Sequence, residues 1–280
     1  MKGIILSGGS GTRLYPLTTM VNKQLLPVYD KPMVYYPLTT LINGGMNEIL
    51  LITSPQYVDC YKNLLGDGSK WGLNIQYKIQ EKPEGLAQAL ILAEEFLNGE
   101  CSCLILGDNI FHGSFYEANC MCGSVIYGYE VKDPRAYGVV EFDEYGRVKS
   151  LEEKPMNPKS NYSIPGIYMF DSNAPKYAKS LKPSIRGELE IVDLLKVYLY
   201  NQQLYAYKME RGMAWLDAGT PQTLFQASSY IQSIQERQGV MVGCYEESCL
   251  KKGFISKEKF KESVGTLPKG EYRSYLERLI

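Results

Sequence analysis

Histidine is nearly absent: His112 is the one imidazole in 280 residues. A Ser-His-Asp triad would need that single residue as its base, which sets this kind of acyl-transfer chemistry aside. Neither charge sign is in excess. Lys and Arg number 30 against 31 Asp and Glu, a formal net charge of −1. The basic face by which proteins neutralise nucleic-acid phosphates is therefore not expected. No apolar run reaches the roughly 18 residues that would suggest a membrane-spanning helix. The apolar stretch before Gly8 is too short for a secretory signal. The expectation is a cytoplasmic protein that binds neither membrane nor nucleic acid. A disulfide framework is also missing. The seven cysteines are an odd number, and Cys101/Cys103 and Cys120/Cys122 have one residue between them, where zinc sites use two to four. They read as reduced thiols serving as small hydrophobes.

What is present is an ordinary globular balance, 45% hydrophobic and 22% charged, with enough chain to bury a real core. Lys2 to Ser7 is a continuous apolar run that enters Gly8, Gly9 and Gly11, the pattern of a buried parallel strand followed by a tight turn. Ile49 to Thr53, Ile75 to Ile79 and Cys103 to Leu106 are further strands. Tyr36 to Asn43 and Gly85 to Leu97 have helical spacing or composition. Later come strands at Ser124 to Glu130, Gly138 to Asp143, Arg147 to Glu152 and Ile167 to Phe170, with a hairpin turn at Asp143 to Gly146. Helices are expected at Glu190 to Tyr200, Thr220 to Gln238, and on both sides of Pro268-Lys269-Gly270 within Lys257 to Ile280. The alternation predicts an α/β protein with a mixed, mostly parallel central sheet. Residues 1–238 read as the catalytic domain and 239–280 as a helical extension packed on it. The 23 tyrosines could line a subunit interface or serve equally as core or surface.

Chemistry concentrates where strands end, the edge at which open α/β sheets bind ligands. Gly8-Gly9-Ser10-Gly11-Thr12-Arg13 lets backbone N–H groups approach phosphate oxygens, and Arg13 adds a forked cation. The spacing is neither Walker A nor a dinucleotide fingerprint. Lys23 offers a point charge to a triphosphate, though surface lysines are commoner. Gln24 and Gln80 each carry a donor and an acceptor, as the imide edge of a pyrimidine requires, and either is also readable as surface polarity. Asp108 follows a buried strand and Asp217 lies in Trp215 to Thr220. Two carboxylates at a strand-end site suit Mg²⁺, while each alone is equally a loop or cap residue. Glu153 and Lys154 end a strand and pair an acid with a cation, suited to a sugar hydroxyl and a phosphate. Arg186 opens the apolar helix within reach of a phosphate.

Together these segments resemble the sugar-1-phosphate nucleotidylyltransferases, most closely the thymidylyl branch. The stretches are GGSGTRLYPLT (Gly8 to Thr18), NKQLLPVYDKPMVYYPL (Asn22 to Leu38), LLGDGSKWGL (Leu64 to Leu73), EGLAQA (Glu84 to Ala89), LGDN (Leu106 to Asn109), YGVVEFD (Tyr137 to Asp143), SLEEKPMNPKSNY (Ser150 to Tyr162), RGELEIVD (Arg186 to Asp193) and WLDAGT (Trp215 to Thr220). They span nearly the whole chain. The resemblance implies a three-layer, Rossmann-like nucleotide-diphospho-sugar transferase fold, Mg²⁺ as cofactor, dTTP and α-D-glucose 1-phosphate as substrates, and a homotetramer. It implies that Gly8 to Arg13 and Lys23 hold the triphosphate, that Gln24, Gln80 and Gly85 read the base, and that Asp108 and Asp217 bind the metal. Asn109, Gly138, Glu153, Lys154, Ile164 and Arg186 would hold the sugar phosphate. Two stretches depart from the family. Ile110 to Gly123 is shorter than usual where the family builds a second, regulatory nucleotide site. Ile164-Pro165-Gly166 replaces a more usual Val-Thr-Gly beside the sugar.

Overall fold

A computed structural model describes residues 1–113 and 122–280. Most of the shortened Ile110 to Gly123 stretch, and with it the question of the regulatory site, lies outside the described residues. The strands are β1 (Lys2–Ser7), β2 (Pro27–Val28), β3 (Lys31–Pro32), β4 (Glu48–Thr53), β5 (Asn74–Ile79), β6 (Ser102–Leu106), β7 (Asn109–His112), β8 (Ser124–Glu130), β9 (Gly138–Phe142), β10 (Val148–Glu153), β11 (Tyr162–Ser163), β12 (Ile167–Phe170), β13 (Leu204–Lys208) and β14 (Ala214–Asp217). The α-helices are α1 (Tyr35–Asn43), α2 (Val58–Leu65), α3 (Gln88–Leu92), α4 (Glu94–Leu97), α5 (Ala174–Ser180), α6 (Ile191–Tyr200), α7 (Pro221–Gln238), α8 (Tyr245–Lys251), α9 (Lys257–Gly265) and α10 (Glu271–Glu277).

The central sheet is mixed. β5, β4, β1 and β6 run parallel, and β12, β8, β11, β9 and β10 continue it with antiparallel pairings, while β13 joins β8 in parallel. β1, β4 and β6 were legible because both of their faces are covered, whereas the edge strand β5 was read from its alternation. Ile5, Leu51 and Ile105 face one core with α1, α2 and α8 to α10. Ile4, Leu6, Leu50, Ile52 and Leu104 face the other with α3 to α6. Each such fully buried aliphatic side chain contributes about 1.5–3 kcal/mol, so neither face can turn to water. The result is three layers. The tyrosines divide: Tyr36, Tyr61, Tyr127 and Tyr198 are core, whereas Tyr15, Tyr145 and Tyr200 are exposed.

The single helix expected over Gly85 to Leu97 is instead α3 and α4, divided at Ala93, with Gly85 outside both at φ +108°. Alanine-rich composition favours helix, but Gly85 is pinned elsewhere by its contact with Leu189. No helix among the described residues is long and apolar enough to cross a membrane.

In the C-terminal helices, Glu246 is buried and accepts from Tyr272 Oη at 2.5 Å and from Cys244 Sγ at 3.7 Å. Burial pushes its carboxyl above the usual range, more than these donors pull it down. A raised folded value means that the stability it contributes is present below the unfolded pKa and lost as pH rises through the folded one. Glu246→Gln, which cannot ionise, should therefore gain stability relative to the parent as pH rises. Urea unfolding of both proteins at about pH 4 and about pH 8 measures the gap. A gap that stays flat or moves the other way contradicts this.

Candidate active site

β1 and β6 pair in parallel register up to Leu6 and Leu106, so the loops after them leave the same edge of the sheet. Gly107 makes that convergence possible. A Cβ there would lie 2.5 Å from Ser7 Oγ and 2.8 Å from Gln24 Cγ. Beyond Asp108 the chain enters β7, which pairs antiparallel with β14, setting Asp217 opposite Asn109. Ala218 N–H donates to the Asp108 carbonyl at 3.0 Å. Asp108 and Asp217 are thereby brought side by side. The alternative reading of Asp217 as a helix cap is overturned: Thr220 caps α7, its Oγ1 accepting from Thr223 N at 3.2 Å, with Pro221 following.

Lys23 Nζ donates to Asp108 Oδ2 in a largely buried ion pair, and Asn109 Nδ2 donates to Asp108 Oδ1 at 2.8 Å. Burial alone would raise the Asp108 carboxyl, but the Lys23 ammonium and these hydrogen bonds outweigh it and hold it below the usual range. Asp217 goes the other way. Burial raises it and the Asp108 charge adds to that, against the Tyr137 hydroxyl, which donates to Asp217 Oδ1 at 3.1 Å, and against Lys23 and Arg13. Arg13 reaches this cluster from the glycine loop: a Cβ on Gly219 would stand 3.1 Å from Arg13 Nη2 and 3.3 Å from Asp217 Oδ2. Gly9, Ser10, Thr12 and Arg13 are exposed, while Gly11 is left-handed at φ +64°.

On the other side of the loop, Gly8 is packed under Gln80, whose Oε1 would lie 1.9 Å from an added Cβ. Gln80 is buried and donates through Nε2 to Gln88 Oε1 at 2.6 Å. Gln24 is also buried, and its Oε1 has no hydrogen-bond partner among the described residues. Neither glutamine is the surface side chain that composition allowed. Gly85 abuts the Leu189 backbone, with Leu189 N donating to Glu84 O at 2.7 Å and Ala87 N to Leu189 O at 3.1 Å.

The remaining predicted residues lie along β7, β9 and β10, just after β11, and in the loop before α6. Glu153 pairs in register with Gly138, and Lys154 follows in a left-handed conformation at φ +44°. Such a conformation is uncommon for a residue with a side chain. Lys154 Nζ lies 3.5 Å from Glu153 Oε1. Arg186 Nη2 lies 3.2 Å from that same oxygen and 2.8 Å from Glu190 Oε2. Burial raises the Glu153 carboxyl despite these cations. Ile164 is buried, its N–H donating to Gly138 O at 2.8 Å. Asn109 is buried, and its Oδ1 accepts from Trp215 Nε1 at 2.6 Å and Gly166 N at 3.0 Å.

Three side chains at this site were not singled out from the sequence. Tyr137 links the Lys154 turn, through Lys154 N to its own carbonyl at 3.1 Å, with Asp217 through its hydroxyl. Trp215 and Gln88 hold Asn109 and Gln80 in place. The signal for Tyr137 and Trp215 was their position inside the YGVVEFD and WLDAGT stretches. Nothing local marked Gln88.

The donor set fits a hard divalent ion. Two carboxylates are adjacent, and among the described residues no group of three or more His, Cys, Asp or Glu side chains could hold a metal. Water and substrate oxygens would complete the shell of such an ion.

A sequence model described as nucleotidyl transferase matches residues 2–234. The chain belongs to this nucleotidyl transferase family. The family generally uses a divalent metal. The chain is 49% identical over 286 aligned positions to the glucose-1-phosphate thymidylyltransferase of Neisseria meningitidis, covering 100% of this chain and 99% of the relative. It is 48% identical to the protein of that name from Mycolicibacterium smegmatis, covering 100% and 99%. Among solved structures, a Bacillus anthracis protein described as a glucose-1-phosphate thymidylyltransferase, in complex with sucrose, aligns with TM-score 0.77 and 39% identity over 82% of this chain and 94% of that one. A UDP-glucose pyrophosphorylase with UDP-glucose aligns with TM-score 0.71 at 22% identity, over 83% of this chain and 98% of that one, a likeness of fold.

Proposed function

We propose that the chain transfers a thymidylyl group from dTTP to α-D-glucose 1-phosphate, releasing pyrophosphate and forming dTDP-glucose. The observation that carries this reading is the cluster of Asp108, Asp217, Lys23 and Arg13 beside the Gly8 to Arg13 loop. Relatives of that name match along the whole chain. The attacking phosphate oxygen is already anionic, so no strong general base is needed, consistent with a chain whose one histidine is engaged with Tyr230 at 2.9 Å. Catalysis is then positioning and charge stabilisation around an in-line displacement at the α-phosphorus. Backbone N–H groups of the loop and Lys23 hold the triphosphate. Arg13 stabilises the leaving pyrophosphate, and Lys154, with Arg186 behind it, orients the sugar phosphate. Gln24 and Gln80 address the base through their amide groups. Asp108 and Asp217 would hold Mg²⁺, which supplies positive charge to the phosphates. The reading carries with it a cytoplasmic homotetramer that feeds dTDP-deoxysugar synthesis.

Pyrophosphate release across a panel of nucleotides and sugar 1-phosphates tests it. dTTP with glucose 1-phosphate should be the best pair. dUTP, which lacks only the thymine methyl group, should trail in kcat/KM by no more than roughly 10–200-fold. No release from dTTP and glucose 1-phosphate ends the reading, and a clear preference for UTP transfers it to uridylyl transfer.

A further inference from the structure

The ion pair between Lys23 and Asp108 has a consequence for how a cation enters the site. Lys23 stands in a short turn, Lys23–Leu25, whose backbone is fixed. Asn22 Oδ1 accepts from Gln24 N at 3.1 Å and from Tyr61 Oη at 2.6 Å, and Asn22 is itself buried. The Lys23 stem passes the glycine loop, with its Cβ 3.4 Å from where a Gly11 Cβ would be, and the ammonium ends on Asp108 Oδ2. Lys23 thus lies between the loop and the acid. Its backbone is held, and its flexible stem can aim a compact charge either way.

With both acids ionised, Asp108 and Asp217 are balanced by Lys23 and Arg13, two charges of each sign. The cluster offers little attraction to a free divalent ion, and an ion placed on Asp108 would meet an ammonium already there. Moving Lys23 away with nothing to receive it leaves a buried cation unpaired. A triphosphate on the loop changes that balance, because it gives the ammonium a second anion. We propose that Lys23 is a displaceable internal counter-ion: it keeps the acidic pair closed to a free divalent ion, and a nucleoside triphosphate opens the pair by drawing Lys23 onto its phosphates. Metal affinity is then coupled to nucleotide binding, and the coupling is reciprocal. This rests on the reading of Asp108 and Asp217 as the metal ligands.

The probe is Mn²⁺, titrated into nucleotide-free protein and followed by the electron paramagnetic resonance signal of the free ion. The unmodified protein should bind it weakly. Lys23→Met should bind it at least about tenfold more tightly, since the competing charge is gone. Lys23→Arg keeps the charge and should bind as the parent does. Adding Asp108→Asn to Lys23→Met should remove the gain. Circular dichroism verifies the fold of each variant, and Lys23→Gln replaces Lys23→Met if the latter does not fold. A Mn²⁺ site in the unmodified protein as tight as that of folded Lys23→Met overturns the proposal. So does a gain that survives Asp108→Asn. The unmodified protein supplies an arm that needs no variant, because one tightly held Mn²⁺ per chain without nucleotide is enough to reject the exchange. The function fails separately: a protein that makes dTDP-glucose yet binds Mn²⁺ tightly when nucleotide-free refutes the exchange alone. One that makes no sugar nucleotide yet shows the Lys23→Met gain refutes the function alone.

Discussion

Replacing Asp217 by Asn lowers pyrophosphate release by roughly 10²–10³-fold, the loss seen when one group that stabilises transition-state charge is removed, and leaves the protein folded. The Tyr137 hydroxyl that donates to Asp217 Oδ1 at 3.1 Å can donate equally to an amide oxygen. Burial already raises the Asp217 carboxyl, so a neutral side chain carries no penalty there. Asp108→Asn should lose as much turnover but also lose stability, because its Lys23 partner would be left largely buried beside an amide. That cost should be about 1–3 kcal/mol. Pyrophosphate release and urea unfolding, measured on the same preparations, separate the two effects. Near-full activity of either variant in Mg²⁺ removes the metal assignment. Equal stability of the two variants removes the account of the Lys23 pair.

The second large effect is on stability. Gly85→Ala should cost about 2–4 kcal/mol. Its φ of +108° is closed to an alanine without strain, and the new Cβ would meet Leu189 N and O, both at 2.5 Å. Backbone on both sides of Leu189 is held by hydrogen bonds to Glu84 and Ala87, so neither strand of chain can step aside. Gly9→Ala is the contrasting case. Nothing lies within 4 Å of its Cβ position, and its φ is not in the left-handed region. Its unfolding free energy should stay within about 0.5 kcal/mol of the parent, while KM for the nucleotide rises if the loop cradles phosphates. Urea unfolding with nucleotide titration reads both. A Gly85→Ala protein as stable as the parent would mean that the loop from Glu84 to Ala87 is not clamped to Leu189.

These two experiments fall on opposite sides of what local sequence could reveal. Gly8 to Arg13 stood out because Arg13 accompanies glycines that follow a buried strand, although such a turn by itself is as readily structural, and Asp108 because it follows one directly. Gly85 stood inside an alanine-rich stretch whose composition favours helix, and only the approach of Leu189, more than a hundred residues later, shows why it is not helical. β7 and β14 were not foreseen as strands. Each has four residues, too few for a periodic signal, and each exists because the other is there to pair with it. Without that pair Asp217 was as readily a cap as a ligand. β13 was missed for the same reason: its parallel partner β8 lies in a distant part of the chain.

The sequence by itself determined the layers. Strands buried on both faces must be apolar throughout, so β1, β4 and β6 announced themselves, and the strand-loop-helix alternation led to an α/β sheet with its chemistry at the carboxyl edge. The tertiary structure alone decided which polar groups meet. The ion pair of Lys23 with Asp108, the hydrogen bond of Tyr137 to Asp217 and the seat of Gln80 on Gly8 all join residues far apart in the chain. Such contacts leave no periodic trace, because each is a single event fixed by the packing of elements, whereas burial of a strand repeats at every residue.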